Sequence, residues 1–202
     1  MSVEERERHI VDGAITFFAE HGLDAQMREL AAAIGTTHTL VYHYFPTKQA
    51  LIDRVYQEVF AGRWKPEWEA LLDDRSLDVE RKLVRFYVDY SRTVLTRDFV
   101  RIIIYSGLND RSIPDRFFAL LGERLFPRLV RETRRHRGST SRARTSAREF
   151  ELLMGLHGGI FYGGVRWFIY GQPMHPQQVP LDDEAVITDR VRSYLAASLA
   201  LD

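Results

Sequence analysis

Between Glu29 and Asp53 the chain runs for 23 residues, LAAAIGTTHTLVYHYFPTKQALI, without one acidic side chain, although 28% of all residues are charged. Gly35 and Pro46 divide this run, and that punctuation restricts it to three short helical elements. Met27, Leu30, Ala31 and Ile34 fall at i, i+3, i+4 and i+7, the spacing of one buried helical face. Gly35 can adopt the left-handed conformation that closes such a helix, and Thr37 then stands as N-cap of a second helix from His38 to about Phe45. Pro46 pushes the residue before it away from helical angles. Thr47 is placed to cap a third helix that turns Leu51, Ile52, Val55 and Val59 inward. Upstream, Ile10, Ala14, Phe17 and Phe18 make a matching stripe that His21-Gly22 closes. The short helix is thus carried by three others.

An acid-free surface is what a polyanion requires. A nucleic-acid duplex repels carboxylates and rewards donors and cations. Away from the Val41, Tyr44 and Phe45 side, the short helix presents His38, Thr39, Tyr42 and His43. Threonine can donate to bases or touch a thymine methyl, and tyrosine hydroxyls hold phosphate oxygens. Lys48 lies in the first turn of the next helix, where a cation opposes the macrodipole at a cost of about 0.3–1 kcal/mol. A bound phosphate reverses that cost by using the lysine and the free N–H groups together. A solvated lysine is the plain alternative.

Residues 10–56 resemble the N-terminal domain of TetR/AcrR-family transcriptional regulators. The resemblance rests on YHYFPTK at 42–48, on Ala14, Phe17, Phe18 and Gly22 in the first helix, and on RELAAAIG at 28–35. It implies backbone contacts from Arg28, Tyr42, His43 and Lys48, and the DNA-facing set becomes Arg28, Thr36, Thr37, His38, Thr39, Tyr42, His43 and Lys48. The chain departs from the family at two places. GLDAQM is one residue shorter than the usual entry to the second helix and lacks its threonine cap, which leaves Asp24 or Gln26 to cap, Asp being the better residue type. THTL at 37–40 puts Thr39 and Leu40 where members carry a small residue followed by threonine, so backbone contacts transfer better than base contacts.

Composition agrees with a two-part helical protein. The 202 residues, 45% hydrophobic and 12% aromatic, suffice for a small domain plus a larger one. We place the DNA-binding domain at 1–62 and the remainder at 63–202. Residues 1–63 hold six Lys/Arg against nine Asp/Glu, net −3, so any attraction to DNA depends on local exclusion of acids rather than on overall charge. Cysteine is absent, which excludes a disulfide framework, a thiol nucleophile and a cysteine zinc site. MSVEERERH has no apolar leader core, and LLMGLHGGIFYGGV at 152–165 is too short to span a bilayer, so the expected location is the cytoplasm, with no membrane partner.

Beyond residue 60 the pattern stays helical. Pro66 stands early in a connector helix, LDVERKLVRFYVDYSRTVLTRD is long and amphipathic, and FVRIIIYSGLND is shorter and more apolar. Pro114 opens a helix expected to run through Phe117, Leu120, Leu121, Leu125 and Leu129. Segment 131–148 has seven arginines, one glutamate and GSTS in its middle, and reads as a charged helix end plus a mobile loop. Gly155, Gly159 and Gly163 recur at i, i+4 and i+8 in the next helix, each costing about 1 kcal/mol relative to alanine. Close approach of another helix would compensate, and a final helix at roughly 183–200 carries Val186, Val191, Tyr194, Leu195 and Leu199. In TetR-like proteins the last two long helices form the dimer interface. The resemblance therefore implies a homodimer through Gly155, Gly159, Gly163, Tyr194 and Leu195; an intramolecular neighbour is the alternative.

The candidate effector pocket is aromatic: Phe86, Tyr90, Tyr105, Phe118 and Phe161, with His157 and Tyr162 as polar handles. Core packing is the competing explanation for each. His157 lacks an i, i+4 His/Glu partner and His175 is distant, so no metal site is expected. No Gly-rich phosphate loop, G-x-S-x-G or HExxH occurs, and neither an enzyme nor a cofactor is expected. The reading is all-α: an N-terminal three-helix helix-turn-helix DNA-binding domain plus a larger C-terminal helical ligand-binding and dimerisation domain. The implied function is a sequence-specific regulator, a repressor released from a palindromic double-stranded DNA operator by a small apolar or amphipathic effector. An architectural DNA-binding protein of the same fold without an inducer is the alternative.

Overall fold

The computed structural model describes residues 2–171 and 179–201; their regular structure is eleven α-helices and one 3-10 turn, with no strand among them. His175 lies outside the described residues. The helices belong to two units: the residues up to Trp64 with Thr96–Phe117, and Lys65–Leu95 with the chain from Phe118 onward. A cut after residue 62 is therefore not clean, because one later segment returns to the first unit.

In the first unit, α1 (Val3–His21) starts at Ser2, whose hydroxyl accepts from Glu5 N–H at 3.1 Å while the Glu5 carboxylate accepts from Ser2 N–H at 2.6 Å. Ile10, Ala14, Phe17 and Phe18 are buried as their spacing requires. Next come α2 (Met27–Ala33), α3 (His38–Tyr44) and α4 (Lys48–Val59), followed by the 3-10 turn Ala61–Arg63. The returning helix is α7 (Arg97–Gly107), which packs along α1. Arg97 pairs with Glu20 at 3.1 Å, Arg101 donates to the Ala19 carbonyl, and the Tyr105 hydroxyl donates to the Glu20 carbonyl at 3.1 Å. Arg101 and Tyr105 thus meet carbonyls that the end of α1 leaves free. Phe60 joins the two stretches: its ring centre lies 4.8 Å from Phe99 and 5.7 Å from Phe117.

The second unit is built on α6 (Val79–Val94), which contacts α5 (Pro66–Asp73), α9 (Phe126–His136) and α11 (Glu184–Ser198); α10 (Ala147–Phe168) packs on α9 and α11. A buried ion pair ties α6 to α9. The Lys82 ammonium, fully buried, lies 2.6 Å from Glu132 and also donates to the Leu72 carbonyl at 2.9 Å.

The helix expected to run from Pro114 to Leu129 is two helices, α8 (Ser112–Arg124) and α9, parted at Leu125. Pro127 is the cause. It has no N–H for an interior turn but fits the first turn of a new helix. Leu199, expected to face inward, is 60% exposed because α11 ends at Ser198.

Candidate nucleic-acid interface

The short helix is held from both ends and from behind. Thr37 caps α3 by accepting from Leu40 N–H at 3.1 Å, and Thr47 caps α4 by accepting from Ala50 N–H at 3.0 Å. Gly35, at φ +69°, turns the chain between α2 and α3, and Thr36 N–H returns to the Ala31 carbonyl at 2.9 Å. Val41 and Phe45 are buried beneath α3. On its other side His38, Thr39 and His43 are exposed and Tyr42 half-buried, with the ring centres of His38 and Tyr42 4.7 Å apart. Arg28 and Thr37 are exposed; Thr36 and Lys48 are half-buried. All eight expected residues thus lie on α2, α3, the turn between them, or the first residue of α4. Arg28 and Lys48 have no acidic partner within ion-pair distance among the described residues, so both cations are available to an external anion.

Two supporting residues escaped the sequence reading. His9 Nε2 hydrogen-bonds the Ile34 carbonyl at 2.9 Å, fixing the turn that follows α2 to α1. Gly13 lets the same turn approach, since a Cβ there would overlap Ile34 Cγ2. A glycine inside a helix was the available signal. Of the two residues offered for the cap of α2, the second takes the position. Gln26 is the N-cap, its N–H donating to Glu29 at 3.4 Å, whereas Asp24 accepts from Asn109. A distant partner of that kind leaves no trace in local spacing.

Of the seven aromatic and histidine residues expected to line a pocket, three come together in the second unit. Phe86, Tyr90 and His157 are buried, with 5.5 Å between the Phe86 and Tyr90 rings and 5.5 Å between those of Tyr90 and His157. Tyr87, not anticipated, completes the group: its hydroxyl lies 3.5 Å from His157 Nδ1. Burial pushes the Tyr87 and Tyr90 hydroxyl pKa values up and lowers that of His157 to about 4. The imidazole is therefore neutral at pH 7. Tyr105 belongs to the first unit, where its hydroxyl donates to the Glu20 carbonyl; Phe118 and Tyr162 are exposed and Phe161 is half-buried. Apolar spacing on a helix brings a residue to a face, but its neighbour decides whether that face is covered.

The expected dimer residues divide in the same way. Tyr194 and Leu195 are buried within the chain, and the Tyr194 hydroxyl shares a 2.7 Å hydrogen bond with Thr133. A Cβ at Gly159 would stand 2.8 Å from Arg190 Nη1, and one at Gly163 would stand 3.2 Å from Leu181. These four residues answer to intramolecular packing. Gly155, and beside it Gly158, would meet nothing within 4 Å and are exposed.

Comparison with known proteins follows this geometry. Residues 10–55 match the family model for bacterial regulatory proteins of the tetR family. Over 87 residues, 42% of this chain, the sequence is 33% identical to an uncharacterised HTH-type transcriptional regulator of Mycobacterium tuberculosis, found in two strains. The matched stretch spans 37% of those relatives' length. Two solved structures share the fold across 100% of this chain. A putative TetR-family transcriptional regulator from Mesorhizobium loti is covered over 98% of its length, with a TM-score of 0.57 and 16% identity. A tetR-family regulator from Streptomyces coelicolor is covered over 85%, with a TM-score of 0.59 and 19% identity.

Proposed function

We propose that this chain, which carries the N-terminal domain of the tetR family of bacterial regulatory proteins, is a cytoplasmic, dimeric, sequence-specific DNA-binding regulator of transcription. The observation that carries the proposal is the solvent side of α3. His38, Thr39 and His43 stand free on a short helix capped at both joins, inside a stretch without a carboxylate. In this reading α3 enters the major groove, and Tyr42, His43, Lys48 and Arg28 hold phosphates while Thr36, Thr37, His38 and Thr39 reach base edges or the adjoining backbone.

A palindromic operator needs two copies of α3, one for each half-site, spaced by a turn of DNA or a multiple of it. Gly155 and Gly158 support the second copy: each costs helix stability, and no atom of the described residues lies within 4 Å of a Cβ placed at either. The regulator acts as a repressor, released by a small apolar or amphipathic effector that enters around Phe86, Tyr90 and His157. Those rings are packed on one another, so a ligand there displaces side chains and couples binding to conformation, typically by about 1–3 kcal/mol.

The test is selection of binding sites from random duplex DNA, followed by titration of the selected site at two salt concentrations. A palindrome bound with steep salt dependence is the expected result. A pool that never enriches a site removes the sequence-reading role.

A further inference from the structure

The arginine-rich segment after α9 encloses a cleft that the regulatory reading leaves unused. In the second unit the loop at 138–145 folds beside Arg75 and the end of α9 around a cavity of about 860 Å³. That volume falls within the range of small-molecule sites. Six arginines line it, Arg75, Arg131, Arg134, Arg135, Arg142 and Arg144, against one acidic residue, Glu132.

The inventory of partners shows which charges are spare. Lys82 and Arg135 meet Glu132 at 2.6 and 3.2 Å. Arg131 also reaches Asp73, and Arg134 is spent on Glu149 at 2.6 Å. Arg75, Arg142 and Arg144 have no acidic partner among the described residues.

The loop that carries two of these three is anchored. The Arg134 guanidinium donates to the carbonyls of Ser141, Ala143 and Arg144 at 3.3, 2.8 and 3.3 Å. Glu149, which accepts from Arg134 and from Arg137 at 2.6 Å, also caps the following helix. Such anchoring lowers the ordering cost of binding.

We propose that this cleft binds a nucleoside polyphosphate. Three unpaired guanidinium forks match the charge and bidentate acceptor geometry of a di- or triphosphate better than those of a single carboxylate. Pro127 and Val130 supply an apolar wall for the flat part of the molecule. A bounded cavity favours a small ligand over a nucleic-acid strand, which needs a continuous track.

The test is calorimetric titration of the full chain at low salt with ADP and with pyrophosphate, and of two variants. One variant carries Arg75→Ser, Arg142→Ser and Arg144→Ser; the control carries Arg81→Ser and Arg85→Ser, exposed positions outside the cleft. All substituted side chains are on the surface, and unchanged circular dichroism establishes the fold.

Saturable binding at one ADP per chain, competition by pyrophosphate, and a loss of about tenfold per cleft arginine replaced are expected, each arginine supplying one charge-assisted hydrogen bond. The proposal is overturned by an absence of saturation at millimolar ADP, by equal weakening in the control, or by failure of pyrophosphate to compete. It is equally overturned if random-sequence duplex DNA displaces ADP through the same three arginines, since the cleft would then be a nucleic-acid groove.

Discussion

Replacing Glu132 by leucine removes the only carboxylate among the described residues within ion-pair distance of the Lys82 ammonium, whose side chain is 0% exposed. The ammonium then keeps a single acceptor, the Leu72 carbonyl at 2.9 Å. Leaving one member of a buried pair uncompensated costs about 3–5 kcal/mol. Lys82→Met is expected to cost less, about 1–3 kcal/mol, because Glu132 retains Arg135 at 3.2 Å and Arg131 at 3.4 Å. The double variant Lys82→Met/Glu132→Leu removes both buried charges. It releases only the guanidiniums of Arg131 and Arg135, which are 50% and 39% exposed and hydrate readily. It is expected within about 1 kcal/mol of the parent, or above it. Urea unfolding of the four proteins measures the cycle, at one fixed protein concentration so that any self-association enters all four alike. Costs below about 1 kcal/mol for both single variants, adding simply in the double, would refute the reasoning, since the pair would then be behaving as a solvated one.

Lys48→Ala is expected to weaken binding to all duplexes alike and to reduce the slope of log affinity against log salt by about one; an unchanged slope removes Lys48 from the contacts. Thr39→Ala is expected to alter preference among operators in a competition assay, and uniform weakening would confine Thr39 to the backbone. Gly13→Ala is expected to destabilise the first unit by about 1–3 kcal/mol, because its methyl group would overlap Ile34; thermal unfolding unchanged from the parent speaks against that contact. For His157, whose pKa burial lowers from 6.5 to about 4, protonation is harder in the folded chain than in the unfolded one. Its neutral-state stability is therefore complete above pH 6.5 and lost as pH falls toward 4, by about 2–3 kcal/mol at pH 4.5. Comparison with His157→Gln isolates this share, and identical pH profiles would show that the imidazole is not desolvated.

Where the sequence was legible, local chemistry was sufficient. Gly35, Thr37, Pro46 and Thr47 act through their own backbone angles and the nearest N–H groups, so the elements around α3 could be placed from residue type alone. Pro127 carried the same kind of information, and the break between α8 and α9 was readable from it. Other features needed a partner far along the chain. Lys82 and Glu132 look like ordinary charges on amphipathic helices, and nothing nearby marks them as buried. Tyr105 and Phe86 share an aromatic, helix-facing pattern, yet the Tyr105 hydroxyl serves the end of α1 while Phe86 is walled in by rings. Among the glycines of α10, Gly159 and Gly163 face Arg190 and Leu181, whereas Gly155 and Gly158 face open space among the described residues.

The return of Thr96–Phe117 to the first unit bears on how the chain is made. A ribosome delivers α1 to α4 first, but Phe60 has to wait for Phe99 and Phe117 before its ring is enclosed. The 53 residues after Trp64, up to and including Phe117, take roughly 3–10 s to translate. Throughout that interval the nascent helices α1 to α4 carry an uncovered aromatic face at Phe60. A fragment ending at residue 64 would carry that face permanently. The unit that carries the acid-free surface is thus complete only once Phe117 has been synthesised.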